Sequence, residues 1–92
     1  MDNKRFSAQA GGFHLTFDNG FTLSVQFKAG NYSDNYNKRM FPGDEIEFDS
    51  NTVEIAILKP RGGFLPHNGG DVQAYQSFSE FLEIFDFVRN LP

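Results

Sequence analysis

Residues 13–28 read as a β-hairpin whose register is decided by its own apolar pattern. Phe13, Leu15 and Phe17 alternate with His14, Thr16 and Asp18. After Asn19-Gly20 the alternation resumes as Phe21, Leu23, Val25 and Phe27 against Thr22, Ser24 and Gln26. Asn-Gly between two alternating runs is the strongest short-range hairpin signal. A two-residue loop would set Phe17 opposite Thr22 and Leu15 opposite Ser24, throwing the apolar rows onto opposite faces. A three-residue loop, Asp18-Asn19-Gly20, sets Phe17 opposite Phe21, Leu15 opposite Leu23 and Phe13 opposite Val25, so that one face is wholly apolar. A slip of one residue turns every side chain to the other face, and the register that buries one face is favoured. The expectation is a type I turn followed by Gly20 in the left-handed region, as a G1 bulge.

The flanking segments supply the rest of a small domain. The first ten residues, through Ala10, are polar and lack period, and they read as a loose tail or at most a short edge strand ended by Gly11-Gly12. Residues 29–44 are rich in Asn, Gly and Asp and form a long loop, which in a domain this small is functional or mobile. Ile46 and Phe48, then Val53, Ile55 and Ile57, alternate with polar or small neighbours. A turn at Ser50-Asn51 would pair Phe48 with Val53 and Ile46 with Ile55. A second loop runs from Pro60 to Gly70, and Asp71–Tyr75 fits a short final strand. Ser77 followed by Glu80 is a capping box and announces a helix. Phe78, Phe81, Leu82, Phe85 and Val88 make its main apolar stripe, which Ile84, Phe87 and Leu91 widen past half the circumference. A helix lying on one sheet needs a stripe of about 100° or somewhat more, so the excess predicts a second cover from a loop, the tail or a partner. The fold class expected is α+β: an antiparallel four- to five-stranded sheet with one C-terminal helix packed on one face, over a single domain of residues 1–92.

The core material is phenylalanine. The 92 residues include 12 Phe, 3 Tyr and no Trp. A domain of this size buries only roughly 60–65% of the surface its unfolded chain exposes. Each buried Phe contributes about 1.5–3 kcal/mol, enough to hold a small domain without staples provided most of the twelve are inside. There are no cysteines, which excludes a disulfide framework, a zinc finger and a thiol nucleophile, and favours a reducing compartment. Met-Asp-Asn-Lys-Arg at the N-terminus leads into no apolar run, and no stretch approaches the ~18–20 apolar residues of a membrane span, so a cytoplasmic location is expected. The Asn31-Tyr32-Ser33 glycosylation match is then chance. A net charge of −4 argues against nucleic-acid binding, which needs a basic surface, and is compatible with a basic partner.

Four regions are candidates for a working surface. The loop 30–39 holds Asn31, Tyr32, Asp34, Asn35, Tyr36, Lys38 and Arg39. Two aromatics among amides and charges resemble a recognition loop, since Tyr brings contact area at low entropic cost; the plain alternative is a disordered connector. The outer face of the first hairpin carries His14, Thr16, Thr22, Ser24 and Gln26, either a hydrogen-bonding platform or an ordinary solvated sheet face. Asp44, Glu45, Glu47, Asp49 and Glu54 gather around the second hairpin, either a solvated strand face or an acidic surface that mimics nucleic acid for a basic partner. Arg61-Gly62-Gly63-Phe64 contains one RGG, which without repeats or a basic context reads as a turn. His14 and His67, the only histidines, lie in no metal-binding spacing, Ser24 and Ser33 lie in no nucleophile elbow, and both glycine-rich phosphate motifs are missing. No catalytic residue, metal or cofactor is expected.

The run Gly12-Phe-His-Leu-Thr-Phe-Asp-Asn-Gly20-Phe-Thr-Leu-Ser-Val-Gln-Phe27, followed by Gly30-Asn31-Tyr32, resembles the opening of a family of small uncharacterised phage and bacterial proteins. The resemblance covers about the first third of the chain, with a weaker echo from Val72 to Leu91. In that family a Cys often follows the G-N-Y segment; here Ser33 stands there, and any role of that thiol is lost. No activity is assigned to the family. The resemblance implies a phage-like context, where small acidic proteins inhibit or sequester host factors. The expected function is therefore a non-enzymatic accessory protein in the cytoplasm of a bacterial host cell, binding and inhibiting a host protein. Its contacts would come from loop 30–39, the outer hairpin face and the acidic residues Glu47 and Asp49. The alternative is sequestration of a small nucleotide-like ligand by Tyr32, Tyr36 and Arg39, across the interface of a homodimer. A small enzyme using His14 is the least favoured reading.

Overall fold

The structure, a computed structural model, describes residues 5–38 and 49–92. Five strands appear in these residues: β1 (Phe6–Gln9), β2 (Gly12–Thr16), β3 (Thr22–Gln26), β4 (Val53–Leu58) and β5 (Val72–Gln76). They are followed by one helix, α1 (Phe78–Arg89). The sheet order is the chain order, and every neighbouring pair is antiparallel. This is an α+β domain with the helix packed on one face of a meander.

The first hairpin has the register that its apolar pattern demands. Phe13 pairs with Val25 and Leu15 with Leu23. The Phe17 N–H donates to the Phe21 carbonyl (2.9 Å), and the Gly20 N–H donates to the Phe17 carbonyl (2.9 Å). Gly20 has φ +87°, the left-handed residue of the three-residue loop. Of the two readings of the N-terminal segment, the edge strand holds over Phe6–Gln9, which pairs with β2.

The second hairpin calls on Ile46 and Phe48, which lie outside the described residues; its pairing of Ile46 with Ile55 is overturned at Ile55 itself. Ile55 is flanked by Val25 of β3 on one side and by Gln73 of β5 on the other. A strand has only two edges, so no third partner can pair there. Alternation in Val53–Ile57 correctly marked a strand facing the core; it could not say which strands lie beside it.

The core is not phenylalanine, as composition led one to expect, but the aliphatic row Leu23, Val25, Ile55 and Ile57 under Ile84 and Val88 of α1; Phe13, Phe17, Phe21, Phe81 and Phe85 pack half-buried around it. Ser77 caps α1 as expected: its hydroxyl accepts from the Glu80 N–H (3.2 Å), and the Glu80 carboxylate accepts from the Ser77 N–H (2.9 Å). The Ser77 N–H first, and the Ser77 hydroxyl second, hold the Glu80 carboxyl below its usual range. The stripe that faces the sheet, however, is Phe81, Ile84, Phe85 and Val88, with Leu91 beyond the end; Phe78, Leu82 and Phe87 are exposed. The apolar arc was wider than one sheet covers, and periodicity alone could not choose its centre.

The second loop is two tight turns. Lys59 N–H donates to the Gly63 carbonyl (2.9 Å) and Gly62 N–H to the Lys59 carbonyl (3.0 Å), so Arg61-Gly62-Gly63 is a turn tip. His67 and Gly70 bridge the next turn. Among the described residues no helix is long and apolar enough to cross a membrane.

Candidate functional site

Residues 29–38 leave β3 and fold back as a chain of short turns instead of a loose connector. Gly30 N–H donates to the Tyr36 carbonyl (3.1 Å), and Tyr36 N–H to the Ser33 carbonyl (3.0 Å). The fastener is Asn35. Its side chain is 1% exposed and its amide donates to the Phe27 carbonyl (2.6 Å) and the Asp49 carbonyl (3.1 Å). It thereby ties the exit of β3 to the segment that enters β4. Ser33, equally buried, accepts from the Asn35 N–H (3.2 Å). A buried amide that meets two carbonyls satisfies polar groups that a loop would otherwise leave unpaired.

Two carboxylates hold the outside of the loop. Asp34 accepts from the Thr52 hydroxyl (2.6 Å) and the Asn51 N–H (3.0 Å), while its own N–H donates to the Thr52 hydroxyl (2.9 Å). The Thr52 bond first, and the Asn51 bond second, hold the Asp34 carboxyl below its ordinary value. Glu54 of β4 accepts from the Tyr32 N–H (2.8 Å) and from the Asn31 side chain (3.4 Å). The Asn31 amide oxygen in turn accepts from the Lys28 N–H (3.0 Å).

This scaffold brings all three tyrosines of the chain together. The β4–β5 register shifts between Val53 and Ile55, setting Ala74 and Tyr75 against Glu54 alone. Tyr75 sits at this bulge with φ +52°, a conformation that an aromatic residue adopts at a cost of about 1–2 kcal/mol. Its N–H, turned out of the ladder, donates to the Tyr32 carbonyl (2.9 Å). Tyr32 and Tyr36 stack at 5.2 Å with their planes 6° apart, and Tyr75 tilts against Tyr32 at 6.3 Å. The three rings remain 41–50% exposed. Rings in mutual contact leave no room for a base between Tyr32 and Tyr36, so a planar ligand could meet only their outer faces.

The other sequence-derived residues divide around this patch. Asn31, Asp34 and Asn35 serve as its frame, and of these Asp34 also stays at the surface. His14, Thr16, Ser24 and Gln26 lie on the sheet face opposite the helix. His14 is paired between Ser7 and Ser24, and Gln26 is paired with Glu54, so this face runs up to the tyrosines. Its side chains partly bond to one another, Thr16 with Thr22 at 2.9 Å and Gln26 with Ser24 at 3.5 Å. Asp49 is exposed beside the loop. Arg39 and Glu47, with Asp44 and Glu45, lie outside the described residues. His67 is far from His14 in the fold, packed against the ring of Phe87 on α1 (4.6 Å). Among the described residues no group of three His, Asp or Glu side chains could hold a metal ion.

Tyr75 is the member that sequence reading passed over. It read as one residue of a short strand, and nothing local marks it, because its neighbour Tyr32 reaches it through a backbone bond to a bulge. No protein-family model, curated protein or solved structure matches this chain.

Proposed function

We propose that this chain is a non-enzymatic binding module that engages a protein partner through the Tyr32–Tyr36–Tyr75 patch. The observation that carries the reading is the cost of building the patch. A buried Asn, two engaged carboxylates and a left-handed Tyr75 are all spent on presenting three exposed rings. Exposed aromatics held in one geometry lose little entropy on binding and are the commonest anchors of protein interfaces. With a net charge of −4 and Glu54, Asp34 and Asp49 beside the rings, the partner side chains that fit are basic, above all Arg, which stacks on tyrosine faces. The resemblance of the first third of the chain to phage proteins supports a host protein as the partner, in the cytoplasm of a bacterial cell, with inhibition as the outcome.

The test is stoichiometric capture from bacterial lysate by the tagged protein and by two variants. Tyr32→Ala removes one ring of the stack. Tyr75→Asn removes the third ring with a residue that tolerates φ > 0. The expected result is one host protein held in near-equal amount by the wild type and lost by both variants, with unchanged circular dichroism. Equal capture by the variants, or no capture by the wild type, would overturn the reading.

A further inference from the structure

We infer that Asn68 is a site of spontaneous deamidation and that Asn19, which has the same Gly neighbour, is protected by the fold. The inference is independent of the function proposed for the tyrosine patch. Asn followed by Gly is the pair in which the next backbone nitrogen most readily attacks the side-chain amide, because glycine has no Cβ to obstruct the approach. This chain contains two such pairs, Asn19-Gly20 and Asn68-Gly69. Both stand at tight turns, so sequence alone ranks them equally.

Their surroundings differ at every reacting group. Asn19 is half-buried. Its amide nitrogen, the leaving group, donates to the Val88 and Leu91 carbonyls, and its oxygen accepts from the Phe21 N–H. The attacking nitrogen, that of Gly20, donates to the Phe17 carbonyl. A Cβ at Gly20 would come within 3.1 Å of the Pro60 ring, so this turn is walled as well. Asn68 and Gly69 are both exposed, with open space around Gly69. Among the described residues nothing hydrogen-bonds the Asn68 side chain or the Gly69 N–H. The two-residue turn is closed by the His67 N–H on the Gly70 carbonyl (2.9 Å) and the Gly70 N–H on the His67 carbonyl (3.2 Å), with Asn68 at φ +50° and Gly69 at φ +87°. An exposed tip of this kind opens at little cost, whereas freeing Asn19 means unlocking the end of α1 from the first hairpin.

The step balances with water as the only co-reactant. The Gly69 nitrogen gives up its proton to base and attacks Cγ of Asn68. A new N–Cγ bond forms, and the Cγ–Nδ2 bond breaks to release ammonia. Water then opens the five-membered imide at either carbonyl, giving aspartate or isoaspartate. Both put a carboxylate where a neutral amide stood. Isoaspartate also adds a carbon to the backbone of the turn, which moves the His67 and Gly70 carbonyls apart. Those carbonyls are the two acceptors of the buried Gln73 amide, that of Gly70 at 3.1 Å. The modified turn therefore unseats Gln73 and loosens β5.

The experiment ages the full chain in warm, mildly alkaline buffer and follows its tryptic peptides by mass spectrometry. Cleavage after Arg5, Lys28, Arg61 and Arg89 gives peptides 6–28 and 62–89, whose only Asn residues are Asn19 and Asn68 respectively. In the folded chain, deamidation is expected at least about tenfold faster in 62–89 than in 6–28, and the label of an isoaspartate methyltransferase is expected to enter 62–89. In guanidinium the two rates are expected to converge, because the fold is what separates them. Equal rates in the folded chain, an Asn68 that keeps its amide, or a difference that persists in guanidinium would each overturn the inference. Hydrogen exchange in the aged fraction is expected to quicken at Gln73 and its neighbours in β5; unchanged protection there would overturn the coupling of the turn to β5.

Discussion

Asn19, at the tip of the first hairpin, donates its side-chain amide to the carbonyl of Val88 in α1 at 2.8 Å. The same amide donates to the Leu91 carbonyl at 2.9 Å, and its oxygen accepts from the Phe21 N–H at 3.1 Å. One residue thus shapes the turn and donates to two carbonyls at the end of a helix, that of Val88 alongside the Leu91 N–H (3.2 Å). It also draws the C-terminal end of α1 across to the β2–β3 turn, where Phe85 meets Phe17 edge-on at 5.1 Å.

Asn19→Ala is therefore expected to cost more than a turn residue does. Losing two amide bonds and the turn bond at a half-buried site costs about 2–3 kcal/mol. Asn19→Asp is expected to be at least as damaging, because it puts a negative charge beside the carbonyls of a helix C-terminus. Urea titration followed by circular dichroism measures both.

Two glycines of the hairpin are expected to resist alanine for different reasons. Gly20→Ala imposes a side chain at φ +87° and sets its Cβ 3.1 Å from the Pro60 ring, costing about 1–2 kcal/mol. At Gly12 the backbone angle is ordinary, but a Cβ would run into the Val25 carbonyl of the neighbouring strand. Gly12→Ala is thus expected to shift the β2–β3 ladder and to lower the melting temperature more than Gly20→Ala does.

The loop that carries the tyrosines is expected to loosen in acid. The Asp34 carboxyl is held below its ordinary 3.8 by bonds to Thr52 and Asn51 that exist only in the folded chain. A depressed carboxyl stabilises the fold above its unfolded value, and that contribution is lost as the pH falls through the lower folded value. The chain has no Trp, and its three Tyr are the patch, so tyrosine fluorescence reads this loop directly. A fluorescence change below pH 4 in the wild type, already present at neutral pH in Asp34→Ala, is the expected outcome.

Asn35→Ala is expected to unfasten the same loop from within. It leaves the Phe27 and Asp49 carbonyls without their buried donor and opens a void, at a cost of about 2–3 kcal/mol. Amide hydrogen exchange is expected to quicken at Tyr36 and Tyr75, whose N–H groups rely on the loop, while β2 and β3 keep their protection.

The chain's local chemistry determined a good deal of this protein. Alternation with the Asn-Gly turn set the register of β2 and β3, because a slip there would strand an entire apolar row in water. Ser77 and Glu80 set the start of α1, because a capping box closes within four residues. Aromatics amid amides singled out the loop 30–39, of which residue 39 lies outside the described residues. Tertiary structure decided which edges of β4 are occupied, since Val53–Leu58 alternates identically whatever lies beside it, and Ile55, expected opposite Ile46, lies between β3 and β5 instead. It also chose the buried centre of α1, because an apolar arc wider than the sheet can cover leaves several rotations open until Ile84 and Val88 meet Leu23 and Ile55. The tyrosine patch belongs to the same class. Tyr32 and Tyr75 come together through a bulge and one backbone hydrogen bond, and such a bond, available to any residue with an N–H and a carbonyl, leaves no mark on the side chains that a sequence displays.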